Sequence, residues 1–173
     1  MRRSKKIALL ACFTTITGIA AASAHVEFNP DSAKANVNQV LALDVPHDCT
    51  SATKTTLIKF QLPISIDAAT FKAIGVFQHG KALTTWHEKL TRSGGRNYIA
   101  VSGPAIITGP DGGKNAADIK FKLTPAGAKG SQLKFPAVQY CTNGVSVNWI
   151  QPRPADGSDP AESATPVPVL NLN

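Results

Sequence analysis

Apolar residues recur at every second position in several short stretches of this chain, and no stretch shows a convincing helical spacing. In 55–62, Ile58, Phe60 and Leu62 alternate with Lys59 and Gln61; in 117–123, Ile119, Phe121 and Leu123 alternate with Asp118, Lys120 and Lys122. A strand points successive side chains to opposite faces, so this pattern makes sheets with one apolar and one polar side. Such sheets must bury their apolar sides against each other. The same reading predicts strands over 37–45, 97–101, 133–140 and 145–150, and at most a turn or two of helix within 67–76. Pro46, Pro63, Pro104, Pro110 and Pro125 punctuate the strand ends, where a missing backbone donor is tolerated. The expected fold is all-β, an immunoglobulin-like β-sandwich.

Asn143-Gly144 lies between two strand-like runs and predicts a two-residue type I′ hairpin, whose two central residues both need positive φ. That turn would set Tyr140 opposite Val147 and Val138 opposite Trp149. From 152 to 173 the chain is rich in proline and acidic residues, a composition that buries little surface and reads as a mobile tail. Val167–Leu172 regains apolar character and can dock as an edge strand.

Residues 1–24 have the parts of a secretory leader: basic Arg2, Arg3, Lys5 and Lys6, an apolar stretch, and the small-x-small triplet Ala22-Ser23-Ala24. Leu9-Leu10-Ala11-Cys12 matches a lipoprotein box only loosely, and cleavage after Ala20-Ala21-Ala22 is the alternative to cleavage before His25. The expected organisation is therefore a signal peptide over 1–24, a sandwich over 25–151 and the tail over 152–173, exported to the periplasm or secreted. No other run is apolar enough for a membrane span in the mature chain. The leader holds four of the 18 Lys and Arg and none of the 11 Asp and Glu, so the mature part carries +3 rather than +7. The remaining lysines are scattered, which removes the main support for nucleic-acid binding.

With Cys12 in the leader, Cys49 and Cys141 remain, an even number in an oxidising compartment, and a disulfide between them is expected. Two thiolate metal ligands are the rival reading. Cleavage before His25 would leave one residue with both a free amine and an imidazole. These two nitrogens close a chelate ring and suit tetragonal Cu(II). Met1 is the sole methionine, so the mature chain has no soft thioether for Cu(I). His47 beside Cys49 reads as loop packing, and His79 and His87 as exposed loop residues; one of the three would have to join His25 in a two-histidine brace.

Several segments together resemble one family. These are Ala24-His25-Val26; Val45-Pro46-His47-Asp48-Cys49; Gln61-Leu62-Pro63; Phe135-Pro136-Ala137-Val138-Gln139-Tyr140-Cys141; Asn143-Gly144-Val145 ending in Trp149; and the terminus Thr165-Pro166-Val167-Pro168-Val169-Leu170. They resemble the YcnI-like family of exported bacterial copper-binding domains, well at both ends of the mature chain and poorly over 65–115. The resemblance implies a Cu(II) site built on a single-histidine brace at His25, with Trp149 beside the metal and a carboxylate ligand. The family's glutamate is matched here by Asp118, one methylene shorter. Without the resemblance, Asp118 reads as a surface carboxylate beside lysines and Trp149 as a core aromatic.

The function expected is non-enzymatic copper sequestration or delivery, with the copper ion and another envelope copper protein as partners. Two alternatives stand beside it. One is a histidine-brace copper monooxygenase acting on polysaccharide, which needs a second histidine and a flat aromatic face. The other is a metal-free envelope interaction module.

Overall fold

The structure, a computed structural model, describes residues 25–106, 117–155, 158 and 164–173. The expected leader, its expected cleavage point and Pro110 lie outside them. Among the described residues the strands are β1 (Glu27–Phe28), β2 (Ser32–Ala33), β3 (Gln39–Val45), β4 (Thr55–Gln61), β5 (Lys72–Gln78), β6 (Lys81–Ala82), β7 (His87–Ser93), β8 (Arg96–Ile106), β9 (Ala117–Leu123), β10 (Gln132–Lys134), β11 (Ala137–Cys141), β12 (Ser146–Trp149) and β13 (Val169–Leu172). They form an antiparallel sheet in the order β1-β3-β9-β5-β6, a second in the order β12-β11-β4-β8-β7, and a smaller sheet β10-β13-β2.

The two five-stranded sheets bury their alternate residues between them. Leu43, Ile119 and Val76 line up across β3, β9 and β5; Ala137, Phe60 and Ile99 line up across β11, β4 and β8, all nearly inaccessible. Phe60 and Phe121 meet across the interface with ring centroids 5.4 Å apart, and Phe28 packs edge-on against Phe135 at 4.7 Å. Aromatic pairs at such separations add to the area they remove from water.

The pattern at 117–123 yields β9 residue for residue, while 133–140 divides. Phe135-Pro136 breaks it, leaving β10 in the small sheet and β11 in the second large one. Within 67–76 a single 3₁₀ turn, Ala68–Thr70, capped by the Asp67 carboxylate, gives way to strand β5. β5 and β7 escape the alternation rule because β7 is an edge strand with mostly exposed residues, and β5 meets core mainly through Val76.

The hairpin forms with a different register. Asn143 and Gly144 both take positive φ, as expected, but the connection spans Thr142–Gly144 and closes with Cys141 N–H donating to the Val145 carbonyl at 2.8 Å. The longer turn slips the pairing by one: Tyr140 faces Ser146, Gln139 faces Val147 and Ala137 faces Trp149. A one-residue slip exchanges the two faces of a strand. Ala137, Gln139 and Cys141 therefore point inward, and Tyr140 is exposed.

The terminal segment also differs from a docked edge. β13 is the central strand of its sheet, antiparallel to β10 and parallel to β2, with Leu170 and Leu172 in the core. Ahead of it, Gln151 bridges to Pro166 and Arg153 pairs with Glu27 at 3.3 Å. No described helix is long and apolar enough to cross a membrane.

Gly103 in β8 leaves room for Trp86, whose Nε1 donates to the Pro104 carbonyl at 2.9 Å. A Cβ on residue 103 would stand 2.5 Å from Trp86 Cγ and Cδ1. Gly103→Ala must displace this buried indole and is expected to destabilise the domain by about 1–3 kcal/mol. A urea melt followed by near-UV circular dichroism checks this.

Candidate functional site

β1 and β12 are edge strands of the two large sheets, and β6 and β7 are the opposite edges. His25 lies two residues ahead of Glu27, the first residue of β1, and Trp149 ends β12. Their rings meet edge-on, with centroids 6.4 Å apart and planes at 75°. Both are buried: His25 is 7% exposed and Trp149 1%. The register slip places Trp149 there, because opposite the small Ala137 an indole can turn inward without crowding the sheet.

A second imidazole lies on the same indole. His47, in the loop after β3, has its centroid 5.7 Å from that of Trp149. The loop is held at several points. The Cys49–Cys141 disulfide forms, with Cα atoms 6.1 Å apart. The buried Asp48 carboxylate accepts from the Thr55 amide at 2.6 Å and from its hydroxyl at 2.9 Å. Gln139, fully buried, donates from Nε2 to the His47 carbonyl and to Thr55 Oγ1, both at 2.7 Å. Its Oε1 accepts from Trp149 Nε1 at 3.2 Å. The indole N–H is thus engaged by Gln139, and the imidazoles meet its ring. Buried polar groups joined in this way fix one arrangement of side chains, since each would be costly to leave unmatched.

Asp118 sits elsewhere in the same sheet, on its central strand β9, two strands in from β1. Glu27 pairs with Asp44 across β1 and β3, and Asp44 pairs with Asp118 across β3 and β9, so the three share the polar face. Asp118 forms an ion pair with Lys120 at 3.6 Å, and Lys120 Nζ lies 5.0 Å from the Phe77 ring centroid. His79 and His87 are exposed, near the opposite edges in the β5–β6 turn and in β7. His25, Trp149 and His47 are therefore brought together. Among the described residues no three His, Cys, Asp or Glu side chains converge as a metal cage.

Two carboxyls titrate far from their ordinary range. Burial pushes Asp44 up to about 7, assisted by its hydrogen bond with Asp118 and the charges of Asp118 and Glu27. Burial also raises Glu88 to about 7; it lies near the Ile74 and Gly75 amides, which pull the other way without reaching good hydrogen-bond geometry. A carboxyl with a folded pKa above its unfolded value of about 4 holds its proton better in the fold, so its effect favours the fold at low pH. The contribution of these two groups to stability should fall as pH rises from about 4 through about 7. Urea melts between pH 4.5 and 8 should show Asp44→Asn flattening that decline.

Sequence reading passed over His47 as loop packing and did not single out Gln139. The available signal was the spacing of His47-Asp48-Cys49 and Gln139-Tyr140-Cys141, which places both residues two positions before a bridged cysteine.

The family model described as "Domain of unknown function (DUF1775)" matches residues 25–172, and the chain belongs to that family. An uncharacterised protein from Nocardia farcinica, described as having an immunoglobulin-like fold, is 23% identical with a TM-score of 0.60; the match covers 87% of this chain and 99% of that one. The likeness shows the fold, an immunoglobulin-like sandwich. The major pilin SpaA of Corynebacterium diphtheriae aligns at 16% identity and a TM-score of 0.41, over 79% of this chain and 33% of that one. A cohesin of Acetivibrio cellulolyticus aligns at 9% and 0.44, over 86% and 98%. No curated protein matches the sequence.

Proposed function

We propose that this member of the DUF1775 family is an exported Cu(II)-binding protein, like the YcnI-like domains it resembles, that sequesters or delivers copper and performs no turnover of its own. The observation that carries the reading is the packing of His25, the residue that leader cleavage would expose, on the indole of Trp149. His25 supplies its α-amine and Nδ1, and Trp149 walls the site. The oxygen donor would come from the row of carboxylates that begins at Glu27, two residues after His25, and runs through Asp44 to Asp118.

The donor chemistry fits the oxidised ion. Both mature cysteines are committed to a disulfide, and the chain beyond the leader has no methionine, so nitrogen and carboxylate donors remain. A long-range disulfide also suits an oxidising compartment outside the cytoplasm, periplasmic or secreted. Delivery would be to another envelope copper protein.

The test separates the chelate from the ring. Isothermal titration with Cu(II) compares protein beginning at His25 with protein that keeps Ala24 ahead of it. The extended chain retains every side chain and loses only the amine, so its affinity should drop sharply. Equal affinities would overturn the brace.

A further inference from the structure

The His47 ring carries the outer arrangement of a metal ligand. Its Nδ1 lies 2.6 Å from the Asp48 carbonyl oxygen, an atom that only accepts. The ring proton therefore sits on Nδ1, and the lone pair is on Nε2. Imidazoles that bind metal through one nitrogen characteristically donate from the other to a carbonyl or carboxylate, which fixes tautomer and orientation.

Three further contacts hold the ring's backbone in place. Gln139 Nε2 donates to the His47 carbonyl, Asp48 is bound by Thr55, and Cys49 is bridged to β11. Gln139 also accepts the Trp149 N–H, so one buried side chain sets both the His47 loop and the indole against which His25 packs. A ligand ordered before binding loses little entropy when the ion arrives.

We propose that Nε2 of His47 is a further nitrogen donor to the Cu(II) held by His25, giving three nitrogens from two histidines beside Trp149. This rests on the reading of His25 as the copper residue, which it extends by a ligand. Three nitrogens in place of two favour the tetragonal Cu(II) site over an oxygen-dominated one.

Two measurements on protein beginning at His25 decide it. Pulsed electron paramagnetic resonance on the Cu(II)-loaded wild type counts bound imidazoles through their remote nitrogens, without any substitution. Two imidazoles are expected, and a single one overturns the proposal. His47→Gln should then leave one, with Cu(II) affinity lowered roughly tenfold to a hundredfold, the scale on which changes around a metal site are felt.

The apo His47→Gln protein should melt close to wild type, because its backbone carbonyl still accepts from Gln139. Unchanged affinity and spectrum in that variant would remove His47 from the site while leaving His25 in place. A wild type that binds Cu(II) no better than His25→Ala would remove both.

Discussion

Replacing Cys49 and Cys141 together by serine is expected to lower the melting temperature by roughly 10–15 °C. The bridge joins residues 92 positions apart. Closing so long a loop in the unfolded chain restricts it by about 4–5 kcal/mol in the chain-entropy treatment. For a domain of this size each kcal/mol moves the midpoint by about 2–4 °C. The effect should be local as well as global. Cys49 anchors the loop that carries His47 and Asp48, and Cys141 ends the strand that carries Gln139. Reduction should therefore speed amide exchange at 47–49 beyond what global destabilisation predicts. Differential scanning calorimetry with hydrogen exchange measures both, and a melting point unmoved by loss of the bridge would contradict the argument.

His25→Ala is expected to weaken Cu(II) binding by about a hundredfold or more, with little change in melting temperature. The substitution leaves the amine but removes the ring nitrogen that closes the chelate, and each lost tenfold corresponds to about 1.4 kcal/mol of binding free energy. Stability should be nearly preserved because Trp149, against which His25 packs edge-on, stays tied to Gln139. Binding should also strengthen with pH, since the α-amine, with an ordinary pKa near 8, must lose its proton to coordinate. Competition titration against a chelator of known affinity, at pH 6 and pH 8, provides the comparison. Wild-type affinity in the variant would remove the functional reading.

The inward and outward faces of β4 and β9 were readable directly, because Ile58-Lys59-Phe60 and Ile119-Lys120-Phe121 each carry their own two-residue alternation. The cysteine pair was readable from its number and expected compartment. The edge strand β7 was not, since His87–Ser93 has no apolar face to announce it. The hairpin was half readable: Asn143 and Gly144 revealed the positive φ angles, whereas the residue Thr142 adds to the turn, and with it the register, was hidden. His25 and Trp149 were legible as candidates from cleavage chemistry and resemblance. His47 was not, because nothing along the chain says which of three isolated histidines will lie against the indole.

Neighbouring residues along the chain were thus enough to establish strands with two faces and the bridging cysteines, and to raise the expectation of a cleavage site ahead of His25. Each is a matter of local spacing or parity. The meeting of His25, His47, Gln139 and Trp149 was settled in three dimensions, as was the central place of β13 in its sheet. Those relations depend on pairing register and on which sheet edges adjoin. In Ala137–Cys141 both alternate sets hold apolar residues, so the pattern does not choose between registers, and it carries no information about the partner across the edge.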